Sequence, residues 1–296
     1  MTAPVEVTPD LLQGWPLPTI PDDGDKEDRG RVLVLAAGAE VAGATLLTAV
    51  AALRAGAGKL QVGAPRSLAQ PLAFAIPEAR ILPAAETDKG ELSPDAADEL
   101  KSALARSDAA VIGPGMLDED AAGELTLRLL DGEGPPLVLD AAAMQGLPAD
   151  PGRARALAGR MVLTPHAGEM AALTGRSKED IAADPLSAAR RLAADLKAVV
   201  IAKGACSYIV SPDGSAWRHE SPTVGLATSG SGDVLAGIIA GLLARGASPA
   251  QAAVFGVYAH AQAGLRLSKR VGRMGFLARE LLDEIAPVLC GLEAGT

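Results

Sequence analysis

The feature that most narrows the folds open to this 296-residue chain is an alternation of short, continuous apolar runs with helical stretches. The runs are Arg31–Leu35, Lys59–Val62, Ala109–Ile112, Leu137–Leu139, Met161–Leu163 and Ala198–Ala202. Most lack the polar alternation of a half-exposed strand, as expected where both faces of a strand are covered. Between and after them lie the helical stretches Ala42–Ala55, Pro94–Ala105, Ala121–Leu130, Glu169–Leu173 and Leu186–Leu196. Such a rhythm implies parallel strands with helices on both faces. It changes at Cys206–Ser211 and Ser215–His219, which Pro212-Asp213-Gly214 joins into an antiparallel hairpin at one edge. The remainder reads as three helices, Gly232–Ala244, Pro249–Leu267 and Phe276–Leu289. The expected fold class is therefore α/β: a three-layer α/β/α sandwich, its central sheet mostly parallel with an antiparallel edge hairpin. Residues 1–30 read as an N-terminal arm, pinned by Leu11, Leu12, Trp15 and Ile20, and residues 31–296 as a single domain.

Hydrophobic residues make up 49% of the chain but aromatic ones only 2%, so Ala, Val, Leu and Ile must build the core and helices must pack closely. A net charge of −9 argues against non-specific binding to nucleic acid or an anionic membrane. It leaves room for a phosphate-bearing ligand, because the backbone N–H groups of a helix N-terminus bind phosphate on an acidic protein too. Cys206 and Cys290 stand far apart and suggest no disulfide framework. No basic segment followed by an apolar run opens the chain. The long uncharged stretch Gly246–Leu265 contains Pro249, Gln251, His260 and Gln262 and reads as a buried helix. A cytoplasmic location is expected.

The most informative segment is Gly225-Leu-Ala-Thr-Ser-Gly-Ser-Gly-Asp233, followed at once by the helix that starts near Val234. Small residues before a helix let backbone N–H groups approach a ligand, and the helix end adds orphan donors and partial positive charge. Ser229, Gly230, Ser231 and Gly232 thus form a candidate anion hole for a phosphoryl group in transfer. Asp233, in the first turn, could cap the helix. It could equally accept a proton from a hydroxyl that attacks phosphorus.

Three further segments carry candidates. Val162-Leu-Thr-Pro-His-Ala-Gly-Glu-Met170 places His166 where a strand ends and a helix starts, the edge at which ligands of open α/β sheets gather. His166 is either a ligand contact or a turn residue that helps the helix begin. Ala198-Val-Val-Ile-Ala-Lys-Gly-Ala-Cys-Ser207 is a buried strand ending in Lys203-Gly204 and a turn. Ala110-Val-Ile-Gly-Pro-Gly-Met116 is a buried strand ending in paired glycines, and Leu137-Val-Leu-Asp140 a strand ending in an acid.

Together, Ala227-Thr-Ser-Gly-Ser-Gly-Asp-Val-Leu-Ala-Gly237, the Thr-Pro-His-x-Gly-Glu segment, the Lys-Gly turn and the Gly-Pro-Gly turn resemble the ribokinase-like superfamily, and within it the ADP-dependent NAD(P)H-hydrate dehydratases. The resemblance spans roughly Gly30 to Leu289 and includes the opening strand and Gly43-Ala44. It implies that Asp233 is the catalytic base and touches the hydrate, with Ala44, Gly115 and His166. It implies an adenine-nucleotide site at Lys203, Gly204, Ala205, Cys206, Ser207 and Gly232. It implies ADP as co-substrate, Mg²⁺ bridging nucleotide oxygens, and a homotetramer. For Asp140, a supporting role near the metal and a helix N-cap both stand. The chain departs from the family pattern at Ala37 and Ala39 after the first strand, at Met116, and at Ala142, where a second carboxylate is usual. A vitamin-precursor kinase, or a nucleotide-binding protein without catalysis, would use the same glycine-rich turn.

Overall fold

In the computed structural model, which describes residues 3–293 apart from 22, 37, 131 and 158, strand β1 (Val5–Glu6) and helix α1 (Pro9–Gln13) come first. Ala37, one of the departures, lies outside the described residues. Then follow β2 (Arg31–Leu35), α2 (Gly43–Arg54), β3 (Lys59–Pro65), α3 (Arg66–Ala75), β4 (Ala79–Ala84), α4 (Ala96–Ala105), β5 (Ala109–Ile112) and α5 (Glu119–Leu129). The middle contains β6 (Leu137–Leu139), α6 (Pro151–Ala156), β7 (Met161–Leu163), α7 (Ala167–Thr174), α8 (Lys178–Ala183), α9 (Pro185–Leu196) and β8 (Val199–Ala202). The hairpin β9 (Cys206–Val210) and β10 (Ala216–Glu220) precedes α10 (Ser231–Ala244), α11 (Pro249–Arg270) and α12 (Ala278–Glu293).

The strands form one sheet in the order β1-β10-β9-β8-β7-β6-β5-β2-β3-β4. β8 through β4 run parallel, and β9 pairs antiparallel with both β8 and β10. The α/β reading holds, with one refinement: the hairpin is not outermost, because two residues of β1 pair with β10 beyond it. In the same segment Leu12 is buried, and Trp15 stacks on Trp217 at a centroid distance of 5.7 Å.

The continuous apolar runs have a direct cause. Val32 and Val34 of β2 belong to one core, shared with α2, α10, α11 and α12, while Leu33 and Leu35 belong to a second, shared with α4, α5 and α9. Successive side chains point to opposite faces, so a strand between two cores needs apolar residues at every position. β4 was not legible as a strand, because this edge leaves Arg80, Leu82 and Pro83 partly or fully exposed and breaks the run. Pro71 lies inside α3, so that helix carries the residue that usually argues against one.

The scarcity of aromatics is offset by close helix approach. A Cβ added at Gly237 of α10 would collide with the Thr48 carbonyl of α2, and one at Gly241 with that of Ala52. Gly237→Val is therefore expected to destabilise the fold by roughly 3 kcal/mol or more, read by urea denaturation. Gly43→Ala, where the added carbon meets nothing within 4 Å, serves as the control and should change stability little. Equal effects of the two would mean that the α2–α10 approach is not tight. Among the described residues, no helix is long and apolar enough to cross a membrane.

Candidate functional site

The carboxyl ends of β2, β5, β6, β7 and β8 meet the N-terminus of α10 along one edge of the sheet. The strand order reverses between β2 and β5, which makes a crevice there, as open parallel sheets do. Ala44, buried at the start of α2, follows one of these strands, and Gly115 follows the other. The turn after β5 needs its glycines: Gly113 has φ +115° and a Cβ there would strike the Asp140 carbonyl, while Gly115 has φ +70°. Buried Glu91 holds this turn from outside, its carboxylate accepting from the backbone N–H groups of Leu117 and Asp118, each at 3.1 Å.

Lys203, at the end of β8, organises the charges. Its Nζ donates to Asp140 Oδ1 at 2.9 Å and lies 3.7 Å from Glu169 Oε2. Burial works against charge on this ammonium, but Asp140 and Glu169 outweigh it and raise its pKa. Asp140, whose side chain is 5% exposed, also accepts from the Thr164 hydroxyl. It occupies an N-cap position without making a side-chain cap bond, so of its two readings the helix cap is not realised. The next residue, Ala141, turns the chain at φ +49°, a left-handed conformation uncommon outside glycine. Ala142, where the family pattern has a second carboxylate, is buried.

Gly230 caps α10 with φ +86° and no side-chain bond, which leaves Asp233 free of capping duty. Among the described residues the Asp233 carboxylate has no hydrogen-bond partner. Burial, reinforced by the negative charge of Asp140 and opposed by Lys203, raises its pKa to about 7. Thr48 of α2 donates to the Asp233 carbonyl at 3.2 Å and ties the two helices at this point. A partly buried carboxylate of this kind suits a general base operating near neutrality.

Beside it opens a cavity of about 830 Å³. Lys203, Gly204, Ala205, Ser207, Gly232 and His166 line it, which gathers most of the nucleotide candidates and one hydrate candidate around a single space. Val224, Leu226, Leu235 and Val257 supply an apolar wall. Cys206 is not among the lining residues. It alternates with Ser207 along β9 and interacts with Tyr208 instead. Ser229 and Gly230 sit in the turn before α10, while Ser231 lines the cavity.

His166 realises its capping reading and also lines the cavity. Its Nδ1 accepts from the backbone N–H groups of Gly168 at 3.0 Å and Glu169 at 3.1 Å, and Glu169 reciprocates by accepting from His166 N at 2.7 Å. This capping box starts α7. It also fixes the tautomer, because an accepting Nδ1 leaves the proton on Nε2.

Two histidines on the cavity wall carried no local signal. His260 of α11 places Nε2 2.8 Å from Ser231 Oγ. His219 of β10 tilts against Tyr258 at 5.5 Å, and among the described residues neither of its ring nitrogens has a hydrogen-bond partner. The nearby Val7 carbonyl favours its charged form, but burial outweighs this and lowers its pKa. His260 stands 29 residues from its partner, so only the fold unites them.

A resident divalent cation needs a cluster of ligating side chains. Among the described residues no group of three or more His, Cys, Asp or Glu could hold one, and Asp140 is engaged by Lys203 and Thr164. The arrangement fits an ion that arrives as counter-ion to nucleotide phosphates better than one held in a protein cage.

Comparison with known proteins matches residues 32–287 to the family described as NAD(P)H-hydrate dehydratase. An ADP-dependent (S)-NAD(P)H-hydrate dehydratase of Xanthomonas campestris pv. campestris is 47% identical over 98% of this chain and 97% of its own length. A bifunctional NAD(P)H-hydrate repair enzyme of Moorella thermoacetica is 40% identical over 94% of this chain, which spans 52% of that longer protein. The crystal structure of an ADP/ATP-dependent NAD(P)H-hydrate dehydratase from Bacillus subtilis, co-crystallised with ATP and Mg²⁺, superposes with a TM-score of 0.83 at 26% identity, covering 99% of this chain and 100% of that one.

Proposed function

The chain belongs to the NAD(P)H-hydrate dehydratase family, and from there we propose that it returns the S-epimer of hydrated NADH or NADPH to the intact dinucleotide, using ADP. The enzyme is a hydro-lyase on a kinase scaffold. Hydroxide leaves carbon poorly and phosphate leaves well, so the hydroxyl is first phosphorylated. Its proton passes to Asp233 as its oxygen bonds to the β-phosphorus of ADP. The bridging P–O bond breaks and AMP departs. The C–O bond of the new ester then breaks, phosphate takes the electron pair, and the ring nitrogen's pair forms a C=N bond. Loss of a proton from the neighbouring ring carbon restores the dihydronicotinamide.

The observation that carries this reading is the Asp233 carboxylate: partly buried, unpartnered, with a pKa of about 7, in the first turn of a helix whose N-terminus faces the cavity. Backbone N–H groups of Ser229, Gly230, Ser231 and Gly232 stabilise the phosphoryl group in transfer. Lys203, Gly204, Ala205, Cys206 and Ser207, with Gly232, hold the adenine nucleotide, Cys206 through its backbone. Ala44, Gly115 and His166 contact the hydrate, and the Nε2 proton of His166 offers it a donor. Mg²⁺, bound with the nucleotide, supplies charge neutralisation of the phosphates. Assembly as a homotetramer in the cytoplasm belongs to the same proposal.

Purified protein given ADP, Mg²⁺ and NADH hydrate should restore dihydronicotinamide absorbance and release AMP and phosphate in equal amounts. A stable phosphorylated product from a vitamin-precursor alcohol, without recovery of NADH, would replace the dehydratase by a kinase.

A further inference from the structure

The pair formed by Ser231 and His260 is not used by the mechanism above. Ser231 is the first residue of α10, two positions before Asp233, and its Oγ lies 2.8 Å from His260 Nε2. Both side chains line the cavity that Lys203 and Gly232 also line. Burial lowers the pKa of His260 to about 4, so its ring is neutral at physiological pH.

A neutral imidazole carries one proton, so Nε2 either accepts from the serine hydroxyl or donates to its oxygen. The two cases present opposite surfaces to a ligand. If Nε2 accepts, the hydroxyl proton is engaged by the ring and the serine turns only lone pairs toward an incoming phosphoryl oxygen. If Nε2 donates, the hydroxyl proton is free for that oxygen. The second case adds a side-chain donor to a helix N-terminus whose orphan N–H groups already favour an anion. A serine hydroxyl otherwise rotates freely, and the bond from His260 restricts it.

We propose that His260 is a positioning residue, which donates to Ser231 Oγ and thereby aims the serine hydroxyl as a side-chain donor at the phosphoryl group in transfer. The inference rests on the phosphoryl-transfer reading of the site. It assigns His260 no contact with the reacting atoms.

The test is a double-mutant cycle in the ADP-driven recovery assay, with AMP binding followed by calorimetry. Ser231→Ala should lower kcat roughly 10²-fold, the loss of one anion-hole donor, with AMP affinity nearly unchanged. His260→Ala should lower kcat by roughly tenfold, and His260→Gln, which retains an N–H donor at similar reach, should recover most of it. The double variant should be no slower than Ser231→Ala alone, since the histidine acts through the serine. His260→Phe fills the ring volume without a donor and gives the same cycle if the alanine variant does not fold. Multiplicative losses, an unchanged kcat on removal of the imidazole, or AMP affinity falling in step with kcat would each overturn the proposal. Wild-type turnover separates the two levels: without it the reaction and this inference fall together, whereas wild-type turnover with multiplicative variants removes this inference alone.

Discussion

Asp233→Asn is expected to lower kcat by roughly 10²–10⁴-fold, the range lost with a general base, while AMP still binds. The amide nearly matches the carboxylate in shape but cannot take the hydroxyl proton. The wild-type enzyme should show the same dependence in its pH profile. With a pKa of about 7, Asp233 is protonated and inactive on the acid side, so kcat/KM should rise as pH passes through about 7 and then level. A profile flat down to about pH 5 would mean that this carboxylate is not the base. Stability should move the opposite way. A carboxylate whose folded pKa lies above its value of 3.8 in the open chain destabilises the fold at high pH, and that penalty fades as pH falls through about 7 toward 4. The Asn variant should accordingly be more stable than wild type near pH 8, by an amount on the order of 2–4 kcal/mol, with the difference gone near pH 4. A variant that is inactive yet more stable also separates loss of chemistry from loss of fold.

Lys203→Met should produce the second large effect, a loss of roughly 3–5 kcal/mol in stability. Methionine keeps much of the stem but leaves Asp140, at 5% side-chain exposure, with Thr164 as its remaining side-chain partner. The folded pKa of Lys203 is raised above 10.5. Its contribution is thus fully present below that value and is lost only as pH rises through the folded pKa, so urea denaturation at neutral pH should reveal the whole deficit. The variant should also move the activity profile. Lys203 lowers the pKa of Asp233, and without it the midpoint should shift to the alkaline side of about 7. A stable Lys203→Met protein with an unmoved midpoint would show that Lys203 neither neutralises Asp140 nor tunes the base.

The fold was most legible where one residue type served one purpose over several positions. β2, β5, β6, β7 and β8 lie between two cores, so every position wants an apolar side chain. β4 has a partly exposed burial pattern and α3 contains a proline, so neither kept a period that sequence alone could follow. In the site, Asp233, Lys203, Gly232 and His166 stood in short motifs where a glycine turn or strand end meets a helix. Such local geometry is written in neighbouring residues.

Their interactions were not written there. As an acid at a strand end Asp140 reads equally as a helix cap, and its engagement by Lys203, 63 residues away, depends on the fold. His166 read as ligand contact or capping residue, and the structure has it capping α7 while it lines the cavity. Glu91 lay between motifs, and its hold on Leu117 and Asp118 depends on a loop brought beside it by the sheet. The sequence by itself determined the layered architecture, and it marked the glycine-rich helix start and Asp233 as candidates, because each follows from residues adjacent along the chain. Only the tertiary structure decided the raised pKa of Asp233, the engagement of Asp140 by Lys203 and the pairing of Ser231 with His260. Those depend on burial and on charges or donors a few ångströms away in space, which chain order does not encode.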